Sequence, residues 1–250
     1  MKILVISTVL ILLCGTAFGF QLFPEAKSHS AAQATCIENG MILAIDTSRH
    51  THSAILSLLD DNGYGSTDVW INGHQNNSIW VTNEGDELTC YLPWQDEEPN
   101  GSGTCLQLWA AADHKWDDTP CTVTKPFVCE PRDLGFRLFE DLMSQGDAQA
   151  SCEANGMTLA VDTSPITHKV IDGLLHDNGY ANTDAWISGH QDDSGAWVDD
   201  YGDELTCYLP WVSDEPNGSG TCLQLWAAHQ HGWDDTPCSV TKPYVCQPFE

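Results

Sequence analysis

Glu98-Pro99-Asn100-Gly101-Ser102-Gly103-Thr104-Cys105 returns unchanged as Glu215-Pro216-Asn217-Gly218-Ser219-Gly220-Thr221-Cys222, and Trp116-Asp117-Asp118 returns as Trp233-Asp234-Asp235. The likeness extends outward from these stretches. Gly19-Phe20-Gln21-Leu22-Phe23 matches Gly135-Phe136-Arg137-Leu138-Phe139 at an offset of 116, which holds through Trp70 and Trp186. By Trp80 and Trp197 the offset is 117, so one residue was inserted near Gly195. Self-similarity of this kind means two copies of one domain rather than one large unit. Only Glu130 to Leu134 separates the copies, too short and too unlike a Gly/Ser tether to let them wander independently. The expected organisation is a leader over 1–19, a first domain over 20–130 and a second over 131–250.

The leader is read from Met1-Lys2, an apolar run from Ile3 to Leu13, and small Ala17 and Gly19 spaced for cleavage after Gly19. That run is about half of the roughly 20 residues a spanning helix needs, and no later segment is apolar enough for one. The expectation is a secreted, extracellular protein without membrane insertion. With 36 acidic residues against 9 basic ones the chain carries a formal charge of −27, so nucleic acid and anionic lipid are poor partners. Most of that charge reads as a solvated surface. Of the eleven cysteines, Cys14 falls in the leader and five fall in each copy: Cys36, Cys90, Cys105, Cys121, Cys129 and Cys152, Cys207, Cys222, Cys238, Cys246. Regular spacing in an exported chain indicates disulfides rather than thiolate metal sites.

In the first copy, Ser30 to Ile37 has the composition of a helix stopped by Asn39-Gly40, and Thr51 to Leu59 fits a second, with Ile55, Leu56, Leu58 and Leu59 on one side. Asp68 to Ile71 reads as a buried strand. From Asn72 to Thr104 the chain is rich in Gly, Asn, Asp and Pro and mostly loop, ordered by Trp80, Pro93 and Trp94. Cys105 to Ala110 and Pro126 to Cys129 read as paired core strands. Trp70, Trp109 and Trp116 are expected in the core, and so are Trp94 and Trp211. His74, His114, His190, His229 and His231 lack the Cys/His spacing of a zinc site and read as exposed polar residues. Calcium takes six to eight oxygens. Glu98, Asn100, Asp117 and Asp118 offer such oxygens from two loops, and Glu215, Asn217, Asp234 and Asp235 repeat them.

This order of residues resembles the C-type lectin family: an early helix cysteine, a tryptophan strand, a long loop ending in Glu-Pro-Asn, then Cys, Trp-Asp-Asp, Cys and a closing Phe-Val-Cys. The resemblance covers essentially the whole mature chain, twice. It implies an α+β fold of two tandem domains, each with two helices, small antiparallel sheets and a long calcium-binding loop. It also implies the pairs Cys36–Cys129, Cys105–Cys121, Cys152–Cys246 and Cys222–Cys238, and a cis Glu-Pro peptide that aims Glu98 and Asn100 at one ion. The implied activity is calcium-dependent carbohydrate binding by a non-enzyme, with the ion completed by two neighbouring sugar hydroxyls. Glu98, Asn100 and Asp117, with Glu215, Asn217 and Asp234, then contact sugar. The Glu-Pro-Asn motif implies equatorial 3- and 4-hydroxyls, as in mannose, glucose, fucose and N-acetylglucosamine, over galactose. Pattern recognition or agglutination of microbes through surface polysaccharide is the implied role. The acidic residues Glu84, Asp86, Glu87, Asp96 and Glu97 are available for the family's auxiliary calcium site.

Two positions depart from the family pattern. Gly103 and Gly220 stand where a further Glu is usual, and Asp117 and Asp234 stand where Asn is usual. The charge balance around the ion survives, but Asp117 accepts and cannot donate, so one hydroxyl loses a hydrogen bond worth on the order of 0.5–3 kcal/mol. Weak monovalent binding follows. Cys90 and Cys207, each within Leu-Thr-Cys-Tyr-Leu-Pro-Trp, could pair with each other, pair between chains to make an oligomer, or stay thiols. Asn76-Asn77-Ser78 is a glycosylation sequon on a surface loop. Asn100-Gly101-Ser102 and Asn217-Gly218-Ser219 are sequons too, but a glycan there would remove the amide that the ion site needs. The competing function is a protein-binding or mineral-associated module that does not bind sugar. A glycosidase built on Glu98 and Asp117 is a third reading, disfavoured because calcium would hold both carboxyls ionised.

Overall fold

The computed structural model describes residues 19–248, so the expected leader lies outside the described residues but for Gly19. The first domain runs β1 (Gln21–Lys27), α1 (His29–Glu38), β2 (Met41–Leu43), α2 (Arg49–Asp61), β3 (Val69–Asn76), β4 (Ile79–Val81), β5 (Cys105–Trp109), β6 (Lys115–Thr119) and β7 (Lys125–Pro131). The second repeats it as β8 (Arg137–Met143), α3 (Gln145–Ala154), β9 (Met157–Leu159), α4 (Pro165–Asp177), β10 (Ala185–Gln191), β11 (Trp197–Val198), β12 (Cys222–Trp226), β13 (Gly232–Thr236) and β14 (Lys242–Pro248).

Each sheet is mixed. In the first the order is β1-β7-β3-β5-β6, with β3 and β7 parallel through Trp70 and Phe127 and the other neighbours antiparallel. The expectation that 105–110 and 126–129 pair directly is therefore corrected. The apolar β3 inserts between them, because a strand buried on both faces such as Val69-Trp70-Ile71 is best satisfied at the sheet centre. The stretch after Asn72 is also more regular than a loop. β3 continues to Asn76 and turns through Asn77 and Ser78, both left-handed (φ 48° and 69°), into β4. The second copy spans the same turn with Gly195 added at φ 87°, and Asp192 Oδ1 accepts the amides of Ser194 and Ala196.

Both second helices begin with a serine whose hydroxyl takes the amide of a threonine three residues on, Ser48 from Thr51 at 3.0 Å and Ser164 from Thr167 at 3.1 Å. Below the cap, α2 buries Ile55, Leu58 and Leu59 against the sheet. Trp70, Trp116, Trp186 and Trp233 are wholly buried, whereas Trp109 and Trp226 are half-buried at their strand ends. Three indoles stack edge to face in each domain, Trp80–Trp94–Trp116 and Trp197–Trp211–Trp233, with neighbouring centroids 4.9–5.5 Å apart. Trp94 and Trp211 thus pin the long loop to the core.

Disulfides join Cys36 to Cys129, Cys105 to Cys121, Cys152 to Cys246 and Cys222 to Cys238. Cys90 and Cys207 bond to each other, which uses both sulfurs within the chain and ties the two long loops together. Contacts around this bridge are quasi-symmetric. Asp86 and Asp203 occupy matching positions, and each meets a side chain from the other domain's second helix: Lys169 Nζ at 3.0 Å and His50 Nε2 at 3.2 Å. Ile166 packs into the first domain's core, and Leu134 packs against both.

Candidate functional site

The repeated acidic motif builds one cluster in each domain. Asp118 lies on β6 next to Trp116 and is completely buried, so its carboxylate must find donors. It finds them in the motif loop: Oδ1 accepts the backbone amides of Asn100 (2.7 Å) and Gly101 (3.2 Å), and Oδ2 accepts that of Gly103 (2.6 Å). The Ser102 hydroxyl donates to the Asp118 carbonyl. Asp118 is therefore the post around which the loop is wound. In the second copy Asp235 holds Asn217, Gly218 and Gly220 at 2.6, 3.3 and 2.7 Å. Although desolvation opposes it, this ring of amides pulls the Asp235 carboxyl below its usual range.

Glu98 follows the left-handed Glu97 (φ 70°) and forms a cis peptide with Pro99, as Glu215 does with Pro216. Its Oε1 accepts the Asn100 side-chain amide at 2.8 Å and its Oε2 accepts the Asn100 backbone amide at 2.9 Å. Asp117 sits on β6, in register with Gln107 of β5. The carboxylates of Glu98, Asp117 and Asp118 place ligand atoms within 4.8 Å of one another, as do those of Glu215, Asp234 and Asp235. Desolvation and the charges of Asp117 and Asp118 push the Glu98 carboxyl up, and Asp234 and Asp235 act likewise on Glu215. Three converging carboxylates are an arrangement that a cation relieves.

Gln107 and Gln224 were not singled out from sequence. Each donates its side-chain amide to Asp117 or Asp234, and each leaves its buried Oε1 without a hydrogen-bond partner. The clue lay in Cys-Leu-Gln-Leu-Trp, where a polar residue interrupts a buried strand identically in both copies. Gln107 and Gln224 thus hold Asp117 and Asp234 in place from the neighbouring strand. Gly103 explains one departure from the expected pattern. A Cβ there would lie 1.9 Å from Thr119 C and 2.1 Å from Thr119 O, so no side chain of any kind fits. The loop has closed where a fourth carboxylate would stand.

Other expectations are corrected. His114 and His231 are buried, with 6% and 0% of their surface exposed, because the turns before β6 and β13 pass through consecutive left-handed residues that fold the rings inward. Glu84 takes the Asn72 side-chain amide at 2.9 Å and Asp86 takes Lys169, contacts that leave the auxiliary-site expectation as it stood. Asn76 is exposed in its hairpin. A cleft of about 430 Å³ between the domains, lined by His50, Cys90, Tyr91, Asp203 and Cys207, is separate from both carboxylate clusters.

A disulfide-stapled α+β domain carrying an exposed loop wound on a buried aspartate, with acidic side chains gathered at its lip, defines a recognition module. The chain belongs to the C-type lectin domain family, whose pattern matches residues 25–131 and 141–248 as two domains in tandem. The family is one of non-catalytic recognition modules. The C-type mannose receptor 2 of Mus musculus is 36% identical over 112 residues, which are 44% of this chain and 7% of the receptor. The C-type lectin lectoxin-Enh5 of Pseudoferania polylepis is 31% identical over 118 residues, 44% of this chain and 74% of that protein. Among solved structures, human lithostathine aligns at 23% identity with a TM-score of 0.42, covering 45% of this chain and 81% of that one. Among the described residues no helix is long and apolar enough to cross a membrane.

Proposed function

We propose that this chain is a secreted, two-site lectin that binds glycans in a calcium-dependent manner, released by cleavage after Gly19 and organised as domains over 20–130 and 131–250. The observation that carries the reading is the convergence of Glu98, Asp117 and Asp118, repeated at Glu215, Asp234 and Asp235. Glu98, Asn100, Asp117 and Asp118, and their counterparts Glu215, Asn217, Asp234 and Asp235, would hold the ion. Bound calcium supplies open coordination positions for two adjacent hydroxyls.

The Asn100 side-chain amide and the Glu98 carboxylate already face each other at 2.8 Å, a donor beside an acceptor. A sugar hydroxyl that accepts from Asn100 and donates to Glu98 exchanges that internal bond for two, which favours equatorial 3- and 4-hydroxyls of the mannose type. Asp117 accepts only, so each site alone is weak, and two sites on one chain recover avidity on a multivalent microbial polysaccharide. The relatedness to the C-type mannose receptor 2 and to the C-type lectin lectoxin-Enh5 agrees with this reading.

Calorimetric titration of the mature chain with calcium, followed by retention on mannan-agarose and elution with EDTA, tests it. Two ions per chain and EDTA-sensitive retention are expected. A chain that binds no calcium sinks the proposal. Calcium binding without sugar retention turns the assignment to the second reading, a protein- or mineral-binding module, which the amide-filled Asp118 supports because it orders the loop without an ion.

A further inference from the structure

Away from both acidic loops, the second domain gathers a different set of ligands. Asp172 and His176 lie one turn apart on α4, so their side chains leave the same face. Opposite them the turn into β13 is left-handed at Gln230 (φ 58°) and His231 (φ 55°), which swings His231 under the helix. His231 Nδ1 stands 2.7 Å from Asp172 Oδ1, and His176 Nε2 stands 3.5 Å from the same oxygen. The three donor atoms fall within 4.8 Å of one another, and the two rings are nearly perpendicular at 85°, with centroids 5.9 Å apart.

We propose that Asp172, His176 and His231 form a site for a divalent transition ion of the zinc type. Zinc bonds of about 2.0–2.1 Å set tetrahedral ligand atoms roughly 3.3 Å apart, and the two separations above bracket that value. Two imidazole nitrogens with one carboxylate select such an ion over calcium or magnesium, which take oxygen. His231 is 0% exposed and presents Nδ1, not Nε2, to the cluster, where its partner is Asp172 Oδ1. The fourth position would be left to water or an outside ligand, since His176 and Asp172 reach the surface at 54% and 34% side-chain exposure. An ion there would clamp α4 to the β12–β13 turn.

The first domain is a natural control. It keeps the buried histidine as His114, whose Nε2 lies 3.3 Å from the Thr67 carbonyl, but has Leu56 and Asp60 where the second has Asp172 and His176. The site is thus expected once per chain. It does not depend on the lectin reading, since it shares no residue with either acidic loop.

The test is titration of the mature chain with zinc chloride under saturating calcium, with cobalt as a visible-absorption reporter of tetrahedral nitrogen ligation. One zinc per chain is expected, with affinity at least about tenfold lower in both Asp172→Leu and His176→Ala. Asp172→Leu installs what the first domain already tolerates, and His176→Ala changes a half-exposed side chain, so at least the latter folds. Failure of the wild-type chain to take up zinc, or wild-type affinity in either folded variant, overturns the assignment.

Discussion

Replacing Gly103 and Gly220 by alanine should unwind the acidic loops, and the size of the effect follows from the packing. The added Cβ would stand 1.9, 2.1 and 2.3 Å from Thr119 C, Thr119 O and Pro120 N, and 1.9, 2.0 and 2.3 Å from the matching atoms of Thr236 and Pro237. These are backbone atoms at a strand end and cannot rotate aside. Either the strand end shifts, an overpacking cost of about 1–3 kcal/mol, or the loop lifts. Lifting breaks the amide bonds from Gly103 and Gly220 to the buried carboxylates, at 2.6 and 2.7 Å. Such bonds to a charged group are worth about 1.5–3 kcal/mol. Whichever route is cheaper, a loss of about 2 kcal/mol per domain is expected, or roughly 8–16 °C in melting temperature at about 4–8 °C per kcal/mol. Calorimetric melting of the double variant measures it. Gly101→Ala/Gly218→Ala is the control, since nothing lies within 4 Å of either position and only the left-handed backbone (φ 81°) is strained, at about 1 kcal/mol. Should the Gly103/Gly220 variant melt no lower than this control, the account of a closed loop is wrong. By the same geometry, Gly103→Glu should add no carboxylate to the cluster and no calcium affinity.

Further outcomes follow from other parts of the structure. Glu98 and Glu215 titrate above the reference value of 4.5 when no ion is bound, so the folded chain holds these protons more tightly than the unfolded one. The ion-free fold should then lose stability as pH rises through those raised values, and calcium affinity should fall on acidification beginning above pH 4.5, as a calorimetric pH series would reveal. His168 has the same sign in a higher window: against its burial, the bond and charge of Asp162 raise it above 6.5, so its stabilisation is complete below that pH and fades as pH climbs through the raised value. His168→Gln should flatten the melting temperature across that window. Trp116→Phe removes the indole donor 2.8 Å from the buried Asp46 and should cost about 1–3 kcal/mol in urea unfolding, leaving the edge-to-face stack in place. Serine at Cys36 and Cys129 opens a loop with a sequence separation of 93 and should cost about 4–5 kcal/mol, read as loss of the first domain's cooperative transition.

What could be read without coordinates divides by range. The α2 helix announced itself because Ile55, Leu56, Leu58 and Leu59 gather on one side, a local signal, while the Ser48 cap that sets its start was found only in the structure. The Val69-Trp70-Ile71 strand was legible from its apolar run, but its place between β5 and β7 was not, since strand order is set by contacts distant in sequence. β1 escaped because Gln21–Lys27 has no apolar run: it is a half-exposed edge strand held by its pairing with β7. At the site, the carboxylates were visible as repeated residue types. Gln107 was not, because its importance lies in facing Asp117 across two strands. His231 was misread as a surface residue for a similar reason: only the two left-handed residues of its turn carry it inside, and neither is glycine.

The bridge between Cys90 and Cys207 joins equivalent points of the two copies, beside the Asp86–Lys169 and Asp203–His50 contacts. Such a pair behaves as a caliper with a set opening rather than as two hands on a string. A polymer whose repeating units match that opening gains the second contact at almost no further loss of freedom, and one with the same sugars at another pitch does not. On the proposed two-site reading, selectivity for the spacing of a surface then resides in one sulfur–sulfur bond between the domains, and a reducing environment loosens it while each half keeps its own acidic loop.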